Sequence, residues 1–178
     1  MQAAAPDALD RAKRVRLMLF DVDGVLTDGR LWYGAAGEAL KVFFAADGQG
    51  IKLLQQTGVT VAILSGRDSP ATTLRAAELG VRYLRQGVGD KRAAFESLLG
   101  ELGMRPAETG FMGDDLIDLP VLQRCEFACA PPEADETVRA SAHYVARAPA
   151  GAGAAREVCD FLMRAQGTLA AARGRYLA

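Results

Sequence analysis

No apolar stretch of this chain approaches the ~20 residues that a helix needs to span a bilayer, so no membrane segment is expected. The opening residues, MQAAAPDALDRAKR, carry acids and lack an apolar core, which argues against a signal peptide and leaves the cytoplasm as the expected compartment. Basic charge is not in surplus. With 21 Lys and Arg against 22 Asp and Glu, the formal net charge is −1, and no global field draws the chain to nucleic acid. Cysteine is scarce: Cys125, Cys129 and Cys159 form no CxxC and no even framework, so they read as reduced, buried thiols. Metal ligation by Cys125 and Cys129 with His143 is the weaker alternative, because FACA around Cys129 reads as a strand. The single histidine, His143, is expected to be structural, at a strand edge. There is no GxxxxGK[ST] run, which excludes a P-loop as far as motifs go, and no internal repeat or low-complexity segment.

What is present suits one ordinary globular domain over 1–178: half the residues are apolar and 24% charged. After a short N-terminal helix, VRLMLF reads as the first strand. RLWYG and ALKVFF, either side of Ala-Ala-Gly-Glu, read as the arms of a β-hairpin, an insert over about 29–45. A helix is expected from about Asp47 to Gln56, then a buried strand over 59–64. A helix over roughly 70–79 stops at Gly80, and a third strand covers 81–84. A helix over 90–102, a strand over 109–112, short strands near 126–130 and 142–146, and a last helix from about Ala154 complete the pattern. Strands alternating with helices of about ten residues predict an α/β fold, a Rossmann-like parallel sheet with helices on both faces. Ligands of such sheets bind at the carboxyl ends of the strands. The polar clusters fall at those ends: Asp21 and Asp23, then Ser65, then Asp114 and Asp115.

The first cluster is the costliest. Period-2 geometry sends Asp21 and Asp23 to one side of an extended chain, and their like charges disfavour joint ionisation without a cation. A hard divalent ion with oxygen ligands, Mg²⁺ above all, resolves this, and Gly24 allows the turn behind them. One carboxylate can attack phosphorus while the second handles protons. Asp114 completes an oxygen cage, Ser65 offers a hydroxyl, and Lys91 supplies a compact positive charge. That set suffices for phosphoryl transfer.

DVDGVLTDG, LSGR, a lone Lys and GDDLID, in that order, resemble the four motifs of haloacid-dehalogenase-type phosphatases. Within that superfamily, LTDG, DGQGIKLL, QGVGDK and GDDLIDLPVL resemble the 3-deoxy-D-manno-octulosonate (KDO) 8-phosphate phosphatases, over about Val15 to Gly167. The resemblance implies Mg²⁺-dependent hydrolysis of KDO 8-phosphate through an aspartyl-phosphate on Asp21, on the way to lipopolysaccharide. Asp23 would be the general acid and base, and the ion would be held by the Asp21 carboxylate, the Asp23 carbonyl and Asp114, with Asp115 and Asp118 in support. Ser65 and Lys91 would bind the phosphoryl group. The sugar-acid contacts would map onto Phe44, Ala45, Ala46, Asp47, Gly48, Lys52, Arg67 and Arg75.

Spacing adds that the enzyme is capless, since neither gap between motifs holds the roughly 40 residues of an independent domain. The hairpin carries Leu31, Trp32, Tyr33, Leu40, Val42, Phe43 and Phe44, more apolar surface than a two-stranded ribbon hides. A homo-oligomer in which a neighbour lids each site is therefore expected, and the resemblance implies a tetramer. Ala46 stands where the family usually has Arg, Phe44 where a polar residue is common, and the stretch 150–154 lacks an Arg that some members have. These departures leave a nine-carbon sugar acid phosphate open as substrate. A non-catalytic oligomerising domain of the same fold is the other reading.

Overall fold

In the computed structural model, which describes residues 4–176, the predicted alternation is realised. Helix α1 (Ala8–Lys13) leads into β1 (Leu17–Phe20), and a hairpin of β2 (Trp32–Gly34) and β3 (Gly37–Leu40) follows. Next come α2 (Ala45–Gln56), β4 (Thr60–Leu64), α3 (Pro70–Leu79), β5 (Tyr83–Arg85) and α4 (Lys91–Leu102). The chain continues through β6 (Thr109–Met112), α5 (Leu119–Leu122), β7 (Phe127–Ala130) and α6 (Glu136–Ser141). Strand β8 (Tyr144–Val145) and helices α7 (Ala154–Ala165) and α8 (Leu169–Gly174) complete it.

Six strands form one parallel sheet in the order β5-β4-β1-β6-β7-β8, and the hairpin stands apart from it. Every residue of β1 is buried, as its unbroken apolar run requires. Met18 and Phe20 face α1, α2 and α7, with Ile51, Leu54, Val158 and Leu162 in that layer. Leu17 and Leu19 face Phe95, Leu98 and Leu99 of α4 and Val121 and Leu122 of α5. Each such side chain contributes roughly 1.5–3 kcal/mol by leaving water, which fixes the sheet between two helical layers. Local signals set the helix ends. Ser69 accepts the Thr72 N–H at 3.4 Å, Pro70 begins α3, and Gly80 closes it with φ 69°. Asp90 accepts the Ala93 N–H at 3.0 Å and starts α4 at Lys91.

Several expectations need correction. The second hairpin arm is Gly37–Leu40; Lys41–Phe44 leave the ribbon, and α2 starts at Ala45 rather than Asp47. Strand β5 lies at 83–85, two residues late, because Val81 N–H bonds to the Ala76 carbonyl and closes α3. Helices α5, α6 and α8 were not expected; Asp135 caps α6 by accepting the Thr137 N–H at 2.7 Å. The first three residues of the N-terminal stretch and the last two of the tail lie outside the described residues. Among the described residues no helix is long and apolar enough to cross a membrane. All three cysteines are buried and free, and His143 accepts the Ala128 N–H at 2.9 Å through Nδ1, a structural role.

Candidate active site

Strand register brings the polar clusters together. Phe20 pairs with Ile63 on one side and Met112 on the other, so Asp21, Ser65 and Asp114 emerge at one edge of three adjacent strands. Asp21 continues the ladder through its N–H to the Met112 carbonyl at 3.0 Å, and it is 5% exposed. Lys91, in the first turn of α4, places Nζ 3.0 Å from Asp21 Oδ2 and donates to Asp118 Oδ1 at 2.6 Å. Asp118, fully buried in the turn after β6, uses its other oxygen to accept the Asp114 and Asp115 N–H groups at 3.0 and 3.3 Å. That turn passes close enough that a Cβ on Gly113 would strike the Asp118 side chain.

Oxygens of Asp21, Asp114 and Asp118 lie within 4.8 Å of one another, the one such cluster of acids, His or Cys among the described residues. Burial pushes the Asp21 carboxyl up to about 6, with Lys91 opposing and Asp118 adding to the rise. Burial, then the charges of Asp21 and Asp118, push Asp114 up to about 8. Burial pulls on the Lys91 ammonium in the opposite sense, but Asp21 and Asp118 together hold it above its ordinary value. Two buried carboxylates and a half-buried third, facing one ammonium, lack positive charge, and a divalent cation among their oxygens would supply it.

The shared-cation reading of Asp21 and Asp23 needs correction. The strand ends at Phe20, Gly24 turns the chain at φ 82°, and the Asp23 carboxylate joins a different cation. It pairs with the Lys41 ammonium and lies 3.8 Å from Arg67 Nε. Lys41, which sequence reasoning missed, is 3% exposed in its side chain and also lies 3.4 Å from Glu38. Ser65 is buried at the end of β4, its hydroxyl accepting the Arg67 N–H at 3.3 Å. The Arg67 guanidinium donates to the Tyr33 hydroxyl on the hairpin.

The remaining predicted residues divide. Phe44 is 42% exposed at the start of α2, Ala45 is exposed, and Ala46 and Lys52 are half-buried. Arg75 pairs with Glu78 at 2.8 Å and packs over the Phe43 ring, against a Gly48 whose missing side chain makes the room. Asp47 is buried. Its carboxylate accepts the Arg156 N–H at 2.7 Å and the Gly153 N–H at 3.3 Å, tying α2 to the start of α7. Asp115 is exposed and accepts the Leu116 N–H at 2.7 Å.

The sheet and its acidic cluster are those of a haloacid dehalogenase-like hydrolase, the family that matches residues 84–158, which include Lys91, Asp114 and Asp118. The 3-deoxy-D-manno-octulosonate 8-phosphate phosphatase KdsC of Yersinia pestis is 42% identical over 170 residues, spanning 96% of this chain and 91% of that one. The same phosphatase of Moraxella catarrhalis, solved with a magnesium ion, a phosphate ion and a KDO molecule, superposes with a TM-score of 0.93 at 35% identity, over 96% of this chain and 98% of that one. The cobalt-bound enzyme of Haemophilus influenzae gives a TM-score of 0.87 at 39% identity, over 89% and 93% of the two chains. This chain belongs to the KDO 8-phosphate phosphatase family.

Proposed function

We infer that the chain hydrolyses KDO 8-phosphate to KDO and phosphate, in lipopolysaccharide synthesis, and that Asp21 is its nucleophile. The observation that carries this is the buried Asp21 carboxylate at the carboxyl end of the central strand, held by Lys91 beside Asp114. The Asp21 carboxylate would attack phosphorus as the bond to the sugar oxygen breaks, and Asp23 would give that oxygen its proton. Asp23 would then take a proton from water as the water oxygen attacks phosphorus and frees Asp21. Ser65 and Lys91 would hold the phosphoryl oxygens. The Asp21 carboxylate, the Asp23 carbonyl and Asp114 would hold Mg²⁺, which supplies charge neutralisation at the transferring group. Asp118 would position Lys91 and the Asp114 backbone, the supporting role that Asp115 has only as a cap of its turn. Arg67, Arg75 and Lys52, with the start of α2 from Phe44 to Gly48, would face the sugar acid.

Phosphate release is the test, with Mg²⁺ and with chelator, on KDO 8-phosphate, nine-carbon sugar acid phosphates and hexose phosphates. A Mg²⁺-dependent preference for the first is expected; preference for a nine-carbon acid would overturn the substrate. Arg67→Ala should raise KM for the sugar acid phosphate by about 10-fold or more, the loss of one charge-assisted contact. A small phosphate ester should lose much less, and equal losses on both would move Arg67 to the phosphoryl group.

Gly24→Ala would set a Cβ against the Asp114 carboxylate at a left-handed backbone position. The backbone alone should cost about 1–2 kcal/mol. Half-maximal activity should then need several-fold more Mg²⁺. An unchanged Mg²⁺ requirement would separate Asp114 from the ion.

The hairpin exposes Leu31, Trp32, Tyr33, Leu40 and Val42, each at least 45% accessible. Such a patch is an interface by its composition, and we read it as the centre of a tetramer in which a neighbour covers each site. Light scattering should show four chains, and Trp32→Glu should shift the mass downward and lower activity with it. A wild-type monomer would refute this. We also propose that the enzyme works in the cytoplasm, a reading supported by the acidic, non-apolar opening residues.

A further inference from the structure

Two buried lysines serve two aspartates that stand two residues apart. Lys91 holds Asp21, and Lys41 holds Asp23 from the hairpin side. The Lys41 ammonium bonds to Asp23 Oδ1, and 3.4 Å away lies Glu38 Oε2. Glu38 itself accepts from the Ser69 hydroxyl, whose backbone opens α3. A line of polar contacts thus runs from Asp23 through the hairpin to the segment that follows Ser65.

Buried polar atoms are almost always partnered. Among the described residues three side-chain atoms are buried without a hydrogen-bond partner: Asp23 Oδ2, Glu38 Oε2 and Arg67 Nε. All three belong to this one network, and it is where a ligand atom or a transferring proton would be accommodated. The two oxygens of Asp23 are therefore unlike: Oδ1 is bonded to the Lys41 ammonium, while Oδ2 makes no hydrogen bond and only faces Arg67 Nε, 3.8 Å away.

We propose that Lys41 is a positioning residue that fixes the Asp23 carboxyl through Oδ1, so that Oδ2 is the oxygen that carries the proton. This rests on the reading of Asp23 as acid and base. As the phosphorus–oxygen bond to the leaving alcohol breaks, the proton on Oδ2 passes to that oxygen. The carboxylate left behind keeps its orientation against the ammonium. In the second half, Oδ2 takes a proton from the attacking water as the bond between phosphorus and Asp21 breaks, which restores the carboxyl group. The hairpin that presents the exposed apolar residues would by this route also aim the proton donor.

The leaving group supplies the test. An alkyl phosphate needs a proton on its departing oxygen, whereas p-nitrophenolate leaves without one. For Lys41→Met, kcat/KM on a simple alkyl phosphate should fall about 10–100-fold and on p-nitrophenyl phosphate by less than about threefold, a portion of what general acid catalysis supplies. Lys41→Arg should recover most of the alkyl phosphate rate. In an Asp23→Asn background, Lys41→Met should add no further loss. Equal losses on both esters, a raised KM alone, or an additive effect in that background would overturn the proposal. An equal loss of kcat/KM on both esters in Asp23→Asn would instead overturn the reading of Asp23 as the acid. If thermal melting shows Lys41→Met unfolded at assay temperature, Lys41→Gln takes its place on the same two esters with the same expectations.

Discussion

Asp21→Asn is expected to lower phosphate release by roughly 10⁴-fold or more, the scale on which nucleophile removal acts. Asparagine keeps the shape of the side chain and its place at the end of β1, but a neutral amide cannot form the aspartyl-phosphate. The fold should survive the change. Lys91 keeps Asp118 as a partner at 2.6 Å, and the repulsion that Asp21 exerts on Asp114 disappears. Thermal melting should therefore stay near wild type while turnover is lost. Near-normal activity would remove Asp21 from the nucleophile's role. In the wild-type enzyme, burial holds the Asp21 carboxyl at about 6 in the absence of metal. Its attacking form is the carboxylate, so kcat/KM should fall as pH drops through an acid limb. Mg²⁺ on the same oxygens favours the ionised form and moves that limb below about 6.

How far the chain could be read before its structure depends on where the determining contacts lie. The strands of the sheet and the helices α3 and α4 were legible because their signals are local: apolar runs, Ser69 with Pro70, Asp90, Gly80. Asp21, Ser65 and Asp114 were legible as a group because each follows the carboxyl end of a strand, and Lys91 because it opens α4. Lys41 was not legible. Leu-Lys-Val-Phe-Phe reads as a strand arm, and only the return of the hairpin over the first loop buries that ammonium against Asp23. The tie that Asp47 makes was not legible for the same reason, since the amides it accepts belong to Gly153 and Arg156, more than a hundred residues away. Period-2 reasoning on Asp21 and Asp23 failed because it extended the strand three residues past Phe20, to Asp23, where the backbone already turns toward Gly24.

Lys91→Met should damage the fold more than Asp21→Asn does, and catalysis with it. The ammonium is 2% exposed in its side chain and is shared by Asp21 at 3.0 Å and Asp118 at 2.6 Å. Methionine fills similar space but leaves two buried carboxylates, with Asp114 beside them, facing no cation. Removing one partner of a buried ion pair costs about 3–5 kcal/mol. The folded state can relieve part of this by taking up protons on the acids. Their folded pKa values then lie above those of the unfolded chain, so the folded form binds more protons and is favoured as pH falls. The deficit relative to wild type should accordingly be largest near pH 8 and smaller near pH 5.5. Mg²⁺ bound among the same oxygens would replace the missing charge and should restore part of the stability, though not turnover, because the proposed contact of Lys91 with a phosphoryl oxygen would be lost. Urea melts at the two pH values, with and without Mg²⁺, measure this directly. A loss of equal size at both, untouched by Mg²⁺, would mean that Lys91 contributes through the packing of its aliphatic stem and not through its charge.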